Sequence, residues 1–475
     1  MSQLAGLISR RGEDVTQRLL RILGSPVRYD AYGIATATSA EHSPQPLAFS
    51  SLTGSVAVGY RLLKVLPTDN PQPIHDNNRA ITFIGRLNDP KPNTLVVADT
   101  LRDGAEKGLR KLLTEHSGSW VAAVAEGDSL ICARDSIGAV PLYYGQSSDS
   151  IGVATDTKTI KNLGMEPQRV APGHIVKLNT KQMIGEAVAP LYEPPQTSMS
   201  FDDAVNELDK LLIDATSRAC KGLQSPTLAF SGGIDSVLIA HYMRLAGAQP
   251  RPICVGAPDS ADFPAAEKAA DILGLSLSIK TFTENDIEEH LKAILASVEE
   301  TDPMKVSIAV PLYYVAQEAT SKLCRAIFTG NGSDELFGGY AKYVDEYQKH
   351  GEGVKAIMFR DVARSHEVNL ERDWKVCSDL GLELRLPYTD PEITRFALSL
   401  PLKYKLPATG REPRKIVLRQ LAKRLGLPDE IAAKPKKATQ YSSGSGKIIE
   451  KLARKCGKTT EGYLAEILLR VTSGE

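Results

Sequence analysis

The most constraining feature of this chain is a short apolar run, Thr227–Phe230, that passes directly into Ser231-Gly232-Gly233-Ile234-Asp235-Ser236 and then into a helix-forming stretch, SVLIAHYMRLAGA. A buried strand that turns on two glycines into a helix gathers backbone N–H groups and the positive end of a helix dipole at one point. Such a point suits a phosphate or pyrophosphate, and Ser231 and Ser236 add hydroxyl donors. Asp235 would repel a bare phosphate. It makes sense if it holds a Mg2+ that the phosphates share. The plain structural alternative is a tight turn whose Asp caps the helix. A Walker A loop would need GxxxxGK followed by Ser or Thr, and the chain has none.

The surrounding rhythm is that of a parallel, doubly wound sheet. Apolar strands at 227–230, 252–257, 277–282 and 324–332 alternate with helical stretches. From about residue 355 the chain reads as mostly helical. Before residue 185 the pattern differs: short apolar or alternating runs at 55–66, 79–87, 119–127 and 129–135 read as antiparallel strands. Helical signals sit near 13–23, 99–116 and 157–163. The Pro-rich, aperiodic stretch 186–200 reads as a linker. The chain is therefore expected to be α+β over 1–185 and α/β with a helical C-terminal part over 201–475.

Composition narrows the partners. Lys+Arg and Asp+Glu both number 57, so the net charge is zero and nucleic acid is not the expected partner. No apolar run reaches 18 residues and the N-terminal apolar stretch is short, so neither a membrane span nor a signal peptide is expected. Six cysteines without CxxC spacing fit a cytoplasmic protein lacking a zinc site or disulfide framework.

The hexapeptide Ser231–Ser236 resembles the pyrophosphate loop of N-type ATP pyrophosphatases. FTGNGSDELFGGY (328–340) resembles the synthetase signature of the asparagine synthetase B-type family. The resemblance implies ATP and Mg2+, with Asp334 as a second metal contact beside Asp235 and with Gly330 and Asn331 along the nucleotide. It places adenine near Val255 and Gly256. NLERD and SDLGLELRLPYTD (369–373 and 378–390) are similar to a further family segment. There Arg385 reads as a substrate-ordering cation or as half of a buried ion pair with Glu383. Residues 411–446 resemble the family's closing segment, whose lysine reaches the α-phosphate. Lys436 is the choice and Lys437 the rival. The stretch after residue 400 carries 17 Lys and Arg against 7 Asp and Glu.

The first 185 residues also resemble this family, through ARDSIGAVPLYYG (133–145) and VAPGHIVKL (170–178). The implied fold is the αββα sandwich of N-terminal-nucleophile hydrolases, a glutaminase-like domain. Active members carry Cys at position 2; here it is Ser2. FIGRLND (83–89) falls where the family has FNGEIYN, so Ile84, followed by Gly85, replaces an oxyanion-binding Asn. Losing one such donor costs about a hundred- to a thousandfold in rate. Arg61 and Asp99 stand where the family grips glutamine. This domain is expected to be inactive, although Ser2 could still act as nucleophile once Met1 is removed.

The expected activity is ATP-dependent amide formation through an acyl-adenylate, with release of AMP and pyrophosphate. Asparagine synthesis from aspartate and ammonia is the main form. The alternatives are a related ligase or cyclase, like a β-lactam synthetase, acting on another carboxylate and amine, or a non-catalytic nucleotide-binding regulator. Asn331 bears on this choice, because many relatives have Glu there. Small molecules are the expected partners, and a homodimer is compatible with the resemblance.

Overall fold

A computed structural model describes residues 1–24, 29–46, 50–408, 413–432 and 439–473. The chain divides into two units, Met1–Tyr192 and Glu193–Glu475.

Among the described residues, the first unit is built on two antiparallel sheets of seven and six strands. Strand Gln3–Ser9 lies between Val56–Leu62 and Ser150–Ala154 in the larger sheet, and all seven of its residues are buried. Its alternate side chains serve two layers. Leu19, Leu20, Leu23 and Ile160, from helices Thr16–Leu23 and Thr157–Asn162, pack with Ala5 and Leu7. The other face meets Arg79–Leu87 and Ser129–Arg134 of the smaller sheet. That sheet is covered in turn by Val97, Leu101, Leu109 and Leu112, which pack on Ile81, Phe83 and Val124. The layers run helix, sheet, sheet, helix.

Two expectations need correction here. The stretch 99–116 is not one helix. It comprises the end of helix Asn93–Thr100, a tight turn Leu101–Asp103 and helix Ala105–Glu115, separated at Gly104 with φ +118°. Apolar spacing runs through the break because both helices face the same core, so periodicity alone could not reveal it. The linker also begins later than expected: Met183–Ala187 is a strand paired with His174–Leu178.

The second unit opens with helix Phe201–Cys220, where Ser200 accepts a hydrogen bond from the Asp203 N–H at 3.1 Å. Its sheet has strands β1 (Thr227–Ala229), β2 (Arg251–Gly256), β3 (Ser278–Thr281), β4 (Ala326–Phe328) and β5 (Glu383–Arg385), in the order β3-β2-β1-β4-β5. Every pairing is parallel. The chain builds outward from β1 to β3, then returns to the other side of β1 to form β4. The loops leaving β1 and β4 therefore part at adjacent strand ends, and such a switch point opens a crevice. Strand β5 departs from the helical expectation after 355; three residues are too few to show a period. Helices α1 (Ile234–Leu245), α2 (Pro303–Ser321), α3 (Ser333–Phe337) and α4 (Glu371–Asp379) line the crevice, and α5 (Ile416–Arg424) packs on α1 and α3. Among the described residues, no helix is long and apolar enough to cross a membrane.

Candidate active site

Both predicted loops line one cavity of about 950 Å³ in the second unit. The β1 loop contributes Ser231, Asp235 and Ser236, the β4 loop contributes Gly330, Asn331 and Asp334, and β2 contributes Val255. The loops touch at Gly330, where a Cβ would lie 2.9 Å from the Asp235 Cβ. Gly233 is the N-cap of α1. Its N–H donates to Ser231 Oγ at 3.4 Å, and its carbonyl accepts from Ser236 Oγ at 3.0 Å. Gly232 has φ +65°. Gly256 is buried beneath Ser260 rather than on the cavity wall.

Where the loops meet stands a residue that the sequence reading passed over. Lys415, the N-cap of α5, is 1% exposed. Its ammonium lies 2.7 Å from both carboxylate oxygens of Asp235 and 2.7 Å from Ser333 Oγ. Asp334 Oδ1 is also 2.7 Å away. The backbone that delivers it has φ +63°, uncommon for a residue with a side chain, and its N–H is tied to the Lys405 carbonyl at 2.9 Å. Gly339 makes room for the cluster: a Cβ there would sit 1.8 Å from Asp334 Oδ1 and 2.5 Å from Lys415 Cε. The sequence signal was the basic excess after residue 400, where nothing distinguished this lysine from its neighbours. The donor set fits a divalent cation too. Two carboxylates and a hydroxyl, contributed by two loops, converge on one point, and hard cations take oxygen ligands of this kind.

Beyond Asn331 the wall carries both signs of charge. The Asn331 amide donates to the Asp373 carboxylate on α4, and Arg372 Nε donates to Asp373 Oδ1 at 2.7 Å. Burial pushes the Asp373 carboxyl above the usual range, with Arg372 and Asn331 opposing. Glu335 accepts from the Tyr340 hydroxyl at 2.5 Å and from the Asn369 amide at 2.8 Å. Burial, and then the neighbouring Asp334 charge, raise its pKa. Lys342 pairs with Asp361 at 2.6 Å. Asp373, Glu335, Lys342 and Asp361 all line the cavity, and none was singled out from sequence.

Arg385 takes the structural role of its two readings. It pairs with Glu383 at 2.6 Å, donates to the Ala219 carbonyl at 3.2 Å and so ties β5 to helix Phe201–Cys220. Lys436 and Lys437 lie outside the described residues. The chain just after them is anchored. Pro311 inside α2 has no N–H for the Ser307 carbonyl, and Ser445 Oγ donates to that carbonyl instead at 2.6 Å. Ser260 Oγ and the Ala257 N–H hold the carbonyls of Ser442 and Ser443 at 2.9 and 2.7 Å. These bonds fix Thr439, Gln440 and Tyr441 along the cavity.

In the first unit, Ser2 Oγ accepts from the Leu63 N–H at 3.0 Å. Arg61 is buried over the Tyr29 ring and donates to the carbonyls of Leu23 and Gly24 at 3.2 and 3.5 Å. Ile84 is buried on its strand, and Gly85 accepts from the Asn93 amide at 2.9 Å. Asp99 is exposed and pairs with Arg102 at 2.8 Å.

Comparison with known proteins adds independent observations. The asparagine synthase family model matches residues 207–353 and 346–466. A putative asparagine synthetase (glutamine-hydrolyzing) 1 of Methanocaldococcus jannaschii is 30% identical over 394 residues, covering 73% of this chain and 72% of that protein. The asparagine synthetase of Sandersonia aurantiaca is 26% identical over 81% of this chain and 78% of its own length. Asparagine synthetase 2 of Arabidopsis thaliana is 27% identical over 81% and 71%.

Proposed function

The chain belongs to the asparagine synthase family and is a ligase of the asparagine synthetase type, and we propose that it makes asparagine from aspartate and ammonia through an acyl-adenylate. The observation that carries this reading is the convergence of Asp235 and Asp334, from two loops at the sheet's switch point, on one buried position.

The β1 loop and the N-terminus of α1 would take the pyrophosphate end of ATP. Asp235 and Asp334 would hold Mg2+, which when bound neutralises charge on the leaving pyrophosphate. A side-chain carboxylate oxygen of aspartate attacks the α-phosphorus, and the bond to the bridging oxygen of pyrophosphate breaks. Ammonia then attacks the acyl carbon, AMP leaves and the nitrogen sheds its extra proton. Lys436, with Lys437 as rival, supplies a cation at the α-phosphate during both steps. The paired charges Lys342–Asp361 and Arg372–Asp373 support an acceptor that itself carries both signs of charge, as aspartate does.

In this reading Ser2, Arg61, Ile84, Gly85 and Asp99 form no working glutaminase. Buried apolar Ile84 offers no oxyanion donor, the Arg61 guanidinium is committed to backbone carbonyls, and Asp99 is paired at the surface. With aspartate and ATP, ammonium is expected to support pyrophosphate release at least a hundredfold faster than glutamine at equal nitrogen. Equal rates would overturn the inactive assignment. The homodimer and the cytoplasmic location remain parts of this proposal; the described cysteines are all free thiols.

One observation favours a second reading, in which the chain is a related amide ligase for another carboxylate and amine. Asn331 replaces the acid common at its position, and the nearest carboxylate comes from Asp373 on a different element. A panel of amino-acid carboxylates and amines, scored by pyrophosphate and AMP release, separates the two. No release with any pair would overturn both readings. For either chemistry Gly339→Ala should cut turnover at least tenfold with the fold retained by circular dichroism, because the new methyl must push Asp334 and Lys415 apart.

A further inference from the structure

We propose that Lys415 is a resident counter-cation that keeps a free divalent ion off Asp235 and Asp334, so that the pair accepts metal only together with a nucleotide. The inference rests on the reading above, in which these two carboxylates hold Mg2+.

A divalent ion on the oxygens that Lys415 contacts would be forced against the ammonium. The ammonium contacts both oxygens of Asp235 and Oδ1 of Asp334, each at 2.7 Å. A magnesium ion bound to the same oxygens would sit at about 2.0–2.1 Å from them, close against Nζ. Lys415 is 1% exposed, so on its side of the carboxylates little water screens that repulsion. The charges point the same way. Two carboxylates and one ammonium sum to a single negative charge. A bare divalent ion would reverse that sign and set two cations side by side, and no other anion is gained. A metal bound to a triphosphate arrives with excess negative charge, and the displaced ammonium can turn to that charge. The lysine stem is flexible enough to pivot while its backbone stays tied to the Lys405 carbonyl.

Manganese stands in for magnesium in the test, because bound and free Mn2+ are distinguished by paramagnetic resonance. Purified full-length protein is titrated with Mn2+, with and without the non-hydrolysable α,β-methylene analogue of ATP. The expected wild-type result is no Asp334-dependent Mn2+ without nucleotide and one per chain with the analogue. Lys415→Met should gain one Mn2+ without nucleotide, at least tenfold tighter than wild type, and its thermal midpoint should rise with Mn2+. Adding Asp334→Asn should remove both gains. Lys415→Gln replaces the methionine variant if that variant does not fold.

The wild-type arm needs no lysine variant. A nucleotide-free Mn2+ site that Asp334→Asn abolishes overturns the proposal, as does a folded Lys415→Met that binds none. If even the nucleotide-loaded wild type holds no Mn2+ sensitive to Asp334→Asn, the carboxylates are not metal ligands. That is a separate failure, of the reading on which this proposal rests.

Discussion

Replacing Asp334 or Asp235 by Asn should lower pyrophosphate release about a thousandfold, the scale of losing a preorganised electrostatic group at a phosphoryl-transfer centre. Asn keeps the size and hydrogen-bonding capacity of Asp and removes only the charge. The cost to stability is expected to be about 1–3 kcal/mol, since Lys415 keeps one carboxylate partner in either variant. Binding should respond differently from turnover. Asp235 faces the proposed phosphate position, so Asp235→Asn should bind metal-free ATP as well as wild type or better while turnover collapses. That split marks a role in handling charge, whereas a folding defect would weaken both. Pyrophosphate release and fluorescence titration with ATP in the presence of a chelator read the two quantities. Either variant retaining more than a tenth of wild-type turnover would sink the reading of the pair.

The two phosphate-facing loops were legible from sequence because each depends on local chemistry. A strand, a glycine turn and a helix N-terminus follow one another along the chain, so Ser231–Ser236 and Gly330–Asp334 could be placed without the fold. The strand order followed less directly, but alternation of short apolar strands with helices left a parallel sheet as the natural outcome. What stayed hidden depends on contacts distant in sequence. Lys415 is 180 residues from Asp235 and 82 from Ser333, and its neighbours in the chain offered equally plausible cations. Asp373 became part of the cavity only because α4 packs behind the β4 loop and brings its carboxylate to Asn331. Strand β5 was missed because its pairing with β4, not any pattern within Glu383–Arg385, makes it a strand. Arg385 could be narrowed from sequence to two roles, and only the nearby Ala219 carbonyl and Glu383 decide between them.

Lys405→Met is expected to stabilise the protein in mildly acidic solution, with a gain that shrinks as pH rises. Lys405 is 3% exposed and donates to the Ala397 carbonyl at 2.6 Å. Burial, helped by the charge of Lys355 and opposed by Glu193, pushes its amine down to about 7 from 10.5. The folded pKa is thus below the unfolded one. Below pH 7 both states carry the proton, and the folded state bears the full cost of a buried charge, about 3–5 kcal/mol on this shift. Between pH 7 and 10.5 the folded state has released the proton and the unfolded state still holds it. Stability attributable to this group therefore climbs by about 1.4 kcal/mol per pH unit, and above 10.5 the penalty is gone. Methionine fills similar space without the charge and gives up one hydrogen bond, worth about 1 kcal/mol. Urea unfolding should show the variant ahead by about 2–4 kcal/mol at pH 6 and by about 1 kcal/mol or less at pH 9.5. An advantage that does not change with pH would show that Lys405 does not titrate in the fold. The position of the group gives this a local consequence, because the Lys405 carbonyl holds the N–H groups of Lys415 and Ile416 at 2.9 and 3.3 Å. Charging the buried amine stresses the turn that presents Lys415 to the two carboxylates, so acid should loosen that end of the cavity before it loosens β1.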